Sequence, residues 1–174
     1  MKEKILVHTC CGPCFLAVWP ILKNNYTIIA YFYNPNIFPQ KEFLLRKKSF
    51  IKIAKKLKIK TIIEKCNQDD FNNAILNHKI KPERCELCWD LRILKTAQKA
   101  NELKIGKFTT TLLSSIYQNT EKIINIGKKI ADTNNLKFIN PNFKNHFFQA
   151  QKKARIENLY IQKYCGCKFS KRRK

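Results

Sequence analysis

Seven of the eight cysteines fall into three tight clusters: Cys10-Cys11-Gly12-Pro13-Cys14, Cys85-Glu86-Leu87-Cys88 and Cys165-Gly166-Cys167. Cys66 stands alone. Cysteines spread for packing do not group like this. Clustered thiols exist because several sulfurs must meet at one point, around a metal or as a redox pair. Whatever this chain folds into has to bring those segments to common ground.

The pattern between the clusters says which kind of fold does so. Residues 3–8 read as a buried strand that runs into the first cysteines, followed by a helix over 13–23 in which Pro20 is a break or kink. A β-branched and aromatic second strand covers 26–33, a loop 34–39, and a helix with one apolar face 41–57. A short strand at 61–63 precedes helices near 69–78 and 86–103. A threonine-rich strand over 108–113, a helix at 120–134, a strand at 136–139 and a helix at 146–158 complete the chain. Strands alternating with helices predict an α/β, Rossmann-like fold with a mainly parallel sheet flanked by helices. Such sheets bind ligands outside the carboxyl ends of their strands. The first cysteine cluster, the Asn34–Pro39 loop and residues 113–118 all follow strands, so a metal site is expected at that edge.

At 174 residues the chain is expected to form one domain over 1–174, ending in a short basic tail, Lys171-Arg172-Arg173-Lys174. That length buries a core without disulfide staples. Ile5-Leu6-Val7 is too short for a signal peptide, and no stretch approaches the ~20 apolar residues of a membrane span. The expected location is the cytoplasm, with no membrane partner. In that reducing compartment clustered cysteines serve as metal ligands or catalytic thiols rather than structural disulfides. The formal net charge of +23, from 35 basic and 12 acidic residues, points to a polyanion as partner, with nucleic acid first among them. A solvated lysine-rich surface is the bland alternative.

A C-x-x-C pair such as Cys85/Cys88, together with Cys10-Cys11, suits either a tetrahedral zinc or a four-thiolate iron–sulfur cluster. Neighbouring side chains diverge, and a cubane several Å wide accepts divergent ligands more easily than one small ion. Cys165-Gly166-Cys167 can bind metal or close a strained, labile disulfide, with Gly166 supplying the backbone freedom. Cys14 is open between ligand, substrate-facing thiol and inert helix start, and Cys66 is expected to be structural. His8 is expected to be a hydrogen-bonded core or loop histidine. Glu42 and Arg46 stand at i and i+4, an ordinary ion pair in the plain reading and pocket residues in the functional one. Tyr117 and Arg92 are further pocket candidates. Phe38 and Trp89 are stacking candidates, with core packing as the default for both.

Five segments resemble the epoxyqueuosine reductase QueH family. They are His8-Thr9-Cys10-Cys11-Gly12-Pro13-Cys14, Tyr31-Phe32-Tyr33-Asn34-Pro35-Asn36-Ile37, Cys85-x-x-Cys88 with Arg92, Thr109-Thr110-Thr111-Leu112-Leu113, and Tyr164-Cys165-Gly166-Cys167-x-Phe169-Ser170. They stand in the family's order from end to end of the chain. The resemblance implies an oxidoreductase that reduces epoxyqueuosine to queuosine at the wobble position of tRNAs with GUN anticodons (Asp, Asn, His, Tyr), the last step of queuosine biosynthesis. It implies a [4Fe-4S] cluster on Cys10, Cys11, Cys85 and Cys88, a second mononuclear iron in some members, a redox-active pair in Cys165 and Cys167, and an unidentified electron donor. Tyr117 is the candidate proton donor. Asn34, Asn36, Arg46 and Arg92 are the candidates for substrate binding. The sequence departs from the family at Ile116, usually proline, and at Asn142 and Lys144, usually aspartate and arginine.

Two rivals stand beside this reading. An ATP-using iron–sulfur tRNA enzyme would need a Gly/Ser-rich phosphate loop after the first strand, where this chain has cysteines. A zinc-binding nucleic-acid module needs only the thiols and the charge.

Overall fold

In the computed structural model, which describes residues 2–170, the apolar run Ile5-Leu6-Val7 forms the middle of strand β1 (Glu3–His8) and is fully buried. The tail at 171–174 lies outside the described residues. A strand that is apolar on both faces must be covered on both, which only an interior strand of a helix-flanked sheet achieves. β1 accordingly lies at the centre of a five-stranded sheet of order β3-β2-β1-β4-β5, with β2 (Tyr26–Phe32), β3 (Lys60–Ile63), β4 (Lys107–Thr110) and β5 (Lys137–Phe138). Every pairing is parallel, with Leu6 opposite Ile29 on one side and Phe108 on the other.

Helices α1 (Gly12–Leu22), α2 (Gln40–Lys56), α3 (Gln68–Ala74), α4 (Glu83–Glu102) and α5 (Thr120–Thr133) make the crossovers, and α6 (Phe147–Ile156) follows the sheet. α1 packs with α2 and α6, and α4 packs with α5. Strand order runs outward from β1 in opposite directions in the two halves. Right-handed crossovers therefore put the two helix groups on opposite faces. Phe32 stacks on Phe50 of α2, with Phe15 of α1 edge-on to the same ring. Gly12 permits the close approach of α1 and α2, because a Cβ there would stand 2.8 Å from the carbonyl oxygen of Ser49. Among the described residues no helix is long and apolar enough to cross a membrane.

The α/β, mainly parallel reading holds, and each expected element is present with small shifts at its ends. Two shifts matter. The fourth strand stops at Thr110, because the Thr110 hydroxyl accepts from the backbone of Leu112 at 3.2 Å and opens a 3-10 turn over Thr111–Ser114. α3 ends at Ala74 instead of running to 78. Pro20 sits inside α1 without ending it.

Candidate functional site

Strand order reverses between β1 and β4, and the first cysteine cluster lies in the crevice this opens. The loop after β1 is tied to its neighbours on both sides. Cys10 donates its backbone N–H to the Thr111 hydroxyl at 3.2 Å, and that hydroxyl lies 3.4 Å from the Cys10 sulfur. Asn34, after β2, donates its amide to the Thr9 carbonyl at 2.9 Å. His8 is fully buried, with Nε2 donating to the Tyr33 carbonyl at 3.1 Å and Nδ1 facing the Thr110 hydroxyl at 2.8 Å. Burial, aided by the charge of Arg92, pushes its pKa down to about 4, so it is the neutral core histidine expected.

Cys10, Cys11 and Cys14 place their sulfurs within 4.8 Å of one another. Cys11 caps α1, its sulfur accepting from the Cys14 N–H at 3.4 Å. Gln162 donates its side-chain amide to the Cys14 sulfur at 3.2 Å. Hydrogen bonds from Cys11 and Cys14 hold the Cys10 thiol well below its ordinary range, while burial lifts Cys11 well above it. Three buried sulfurs that converge at a helix N-terminus are a donor set that could hold a metal. Among the described residues it is the one such group of three ligating side chains.

Cys85 and Cys88 open α4, beside Arg84, Trp89 and Arg92. With Asn36, Phe71, Gln118, Cys165 and Cys167 they line a cavity of about 30 Å³. That is room for a water molecule or an ion, not for a nucleobase. Trp89, largely buried, donates its indole N–H to Gln118 at 3.0 Å. Arg92 is 4% exposed and donates Nε to the Cys88 carbonyl, while Arg84 donates to the Lys79 carbonyl and lies over the Phe169 ring. Among the described residues neither guanidinium has a carboxylate in ion-pair reach. A buried cation without an anion is costly, so negative charge in this cavity would be stabilising. Metal-bound thiolates would provide it, and in that sense the residues present fit a metal–thiolate centre. Burial raises the Cys88 thiol to about 11, with Arg92 opposing.

The third cluster is carried on a loop held from α2. Arg46, 1% exposed, pairs with Glu42 at 2.7 Å and donates to the carbonyls of Tyr164 at 2.9 Å and Cys165 at 3.2 Å. Gly166 has φ 108° and accepts from the Phe38 N–H at 2.8 Å. The Tyr164 hydroxyl donates to the Phe38 carbonyl. Cys165 is exposed, 2.9 Å from the Ser170 hydroxyl, and Cys167 is buried in the cavity wall.

The structure thus groups Cys10 and Cys11 with Cys14, and Cys85 and Cys88 with Cys165 and Cys167. Asn36 and Arg92 line the cavity. Asn34 and Arg46 do not: Asn34 donates to the Thr9 carbonyl, and Arg46 to the Glu42 carboxylate and the carbonyls of Tyr164 and Cys165. Tyr117 is 84% exposed and is not among the lining residues. Cys66 packs against the core. Asn142, where the family usually has aspartate, accepts from the Lys144 N–H at 3.2 Å and caps a 3-10 turn, a task the amide performs as a carboxylate would. Gln162 and Arg84 belong to the site without having been singled out from the sequence: Arg84 adjoins a cysteine, but nothing local marks Gln162. Thr111 stands in one of the five resembling segments, and Gln118 closes the 113–118 loop.

The profile of the epoxyqueuosine reductase QueH family matches residues 5–173. The chain belongs to this family. It is 36% identical to epoxyqueuosine reductase QueH of Helicobacter pylori, over 95% of this chain and 49% of the relative. It is 33% identical to the protein of that name from Haemophilus influenzae, over 98% of this chain and 72% of the relative. It is 30% identical to the Thermotoga maritima protein of that name, over 95% and 89%. The chain therefore spans about half the length of the Helicobacter relative and most of the other two. Among solved structures it is similar in fold to the U34-tRNA thiolase NcsA from Methanococcus maripaludis with its [4Fe-4S] cluster. The TM-score is 0.63 at 16% identity, covering 98% of this chain and 62% of that one.

Proposed function

We propose that the chain reduces epoxyqueuosine to queuosine in tRNA. The observation that carries this reading is the single cavity in which Cys85, Cys88, Cys165 and Cys167 meet the guanidinium groups of Arg84 and Arg92, which have no carboxylate partner among the described residues. Family membership and the names of the relatives support the substrate.

Cys10, Cys11, Cys85 and Cys88 would hold a [4Fe-4S] cluster, with Cys14 a further thiol beside the first pair. When bound, such a cluster passes single electrons, and iron can act as a Lewis acid toward oxygen. A second, mononuclear iron would draw on Cys14 or on Cys165 and Cys167. The protein's own redox step balances without either metal. The Cys165 and Cys167 thiols give up two electrons and two protons as they close a disulfide, and the epoxide loses its oxygen as water and becomes an alkene. An external electron donor must then reopen the disulfide. Arg92 and Asn36 line the cavity that the reacting edge of the substrate would enter. Arg92 would stabilise charge growing on the leaving oxygen, and the buried carbonyl oxygen of Asn36, which lacks a partner within the protein, would accept from a substrate hydroxyl. The cavity admits only that edge, so the rest of the nucleotide rests on the rim. The net charge of +23 suits tRNA, with the GUN-anticodon acceptors of Asp, Asn, His and Tyr as the proposed set.

The test is turnover. Anaerobically purified, iron-replete protein is mixed with dithionite and tRNA carrying epoxyqueuosine, and the digested nucleosides are weighed by mass spectrometry. Loss of one oxygen is expected. An unchanged nucleoside with an intact cluster would overturn the reading.

A further inference from the structure

Beside the cavity rim stands a cluster of aromatic rings that the chemistry above does not use. Tyr117, next to the lining residue Gln118, meets Phe147 edge-on, with ring centroids 6.1 Å apart, and Phe147 meets Phe148 in the same way at 5.3 Å. Tyr117 is 84% exposed and Phe148 72% exposed. Single exposed aromatics need no explanation, but two such exposed rings buttressed through a third are an uncommon surface for water to face. Phe147, half-buried at the first position of α6, meets both outer rings, so the three lose less freedom on binding than isolated side chains would. Lys152 lies one helical turn after Phe148 on the same face, and Lys144 and His146 precede the rings. Among the described residues none of these three bases is engaged in an ion pair.

Exposed rings in mutual contact, bases close to them in the chain and a tyrosine adjoining the lining residue Gln118 match one occupant. We infer that Tyr117, Phe147 and Phe148 form a stacking platform for an unpaired RNA base flanking the nucleotide whose edge enters the cavity. The inference rests on the RNA reading and deepens it. Every base has a π-face, so the platform recognises an unpaired loop irrespective of its sequence, and a duplex, whose bases are already stacked, gains nothing from it. It also assigns Tyr117 a role through its ring instead of its hydroxyl.

The experiment uses the full-length, iron-loaded protein and two probes. One is a short RNA hairpin whose unpaired loop carries a fluorescent adenine analogue. The other is a blunt RNA duplex with the same number of phosphates. Tyr117→Ala and Phe148→Ala should each weaken hairpin binding roughly five- to hundredfold and abolish the quenching of the loop fluorophore. Duplex binding should stay as in the parent, and Tyr117→Phe should bind the hairpin as the parent does. Circular dichroism and iron content confirm that the variants are folded. Alanine variants that bind the hairpin like the parent would overturn the platform, and so would a Tyr117→Phe variant that fails. Equal losses on hairpin and duplex would also overturn it, because the rings would then act on charge or fold. A parent that binds neither probe would sink the RNA reading itself, a distinct outcome.

Discussion

Arg46 donates Nη1 to the carbonyl oxygen of Cys165 at 3.2 Å, across 119 positions of chain. The contact ties a helix on one face of the sheet to the loop that carries Cys165 and Cys167. The guanidinium is nearly inaccessible, and its remaining donors go to Glu42 and the Tyr164 carbonyl. Arg46 therefore positions Cys165 and Cys167 from behind.

Removing this cation leaves the buried Glu42 without its counter-charge, with the Tyr160 hydroxyl as its remaining side-chain partner. Arg46→Met should destabilise the protein by about 3–5 kcal/mol, the typical cost of breaking a buried pair. Arg46→Lys keeps the charge but loses the planar fork that serves three acceptors, and should fall between. Urea unfolding reads both. Parent-like midpoints would show that the loop is held by other contacts.

Gly166 carries the second half of the same constraint. Its φ of 108° disfavours any side chain, and a Cβ would stand 3.0 Å from Ile37 Cγ1 and 3.2 Å from Arg46 Nη1. Gly166→Ala should cost more than about 1 kcal/mol. Gly106→Ala, where a Cβ meets nothing within 4 Å, is the control and should be close to neutral. Thermal unfolding of the pair gives the answer, and equal melting temperatures would contradict the assignment.

Tyr160 donates its hydroxyl to Glu42, and burial, with Glu42 adding, pushes its pKa up to about 12. Arg46 opposes and Tyr164 stands near. The folded state therefore keeps this proton longer than the unfolded chain, whose tyrosine titrates near 10. The contribution of Tyr160 is complete below pH 10 and is lost as pH rises from there towards 12. The stability gap between the parent and Tyr160→Phe should narrow over that window. A gap that does not change with pH would show that the hydroxyl ionises alike in both states.

Serine at Cys10, Cys11, Cys85 or Cys88 should lower the iron bound per chain after anaerobic reconstitution, because a hydroxyl is a poor soft ligand. Cys66→Ser should not, since that side chain packs against the core and belongs neither to the cavity lining nor to the group of three sulfurs. Iron analysis and the visible spectrum report the result. Full iron in the four variants would remove those residues from the ligand set.

Local order along the chain was legible before any coordinates. Apolar runs at Ile5–Val7 and Ile28–Phe32, and the one-sided face of 41–57, depend on residues a few positions apart, and the strands and helices formed where that periodicity put them. So did the cysteine clusters at strand and helix ends, because their spacing is itself local. What tertiary packing decided is which strand lies beside which. β4 pairs with β1, and only that pairing brings Thr110 to His8 and Thr111 to Cys10. It also decided the use of single side chains. Asn34 and Arg46, candidates for substrate binding in the sequence, donate to main-chain carbonyls of other segments, and Arg46 also to the Glu42 carboxylate. Tyr117, the candidate proton donor, is exposed. A donor's partner is set by whatever the fold brings within about 3 Å of it. For Arg46 that partner lies more than a hundred residues away, beyond the reach of any local pattern.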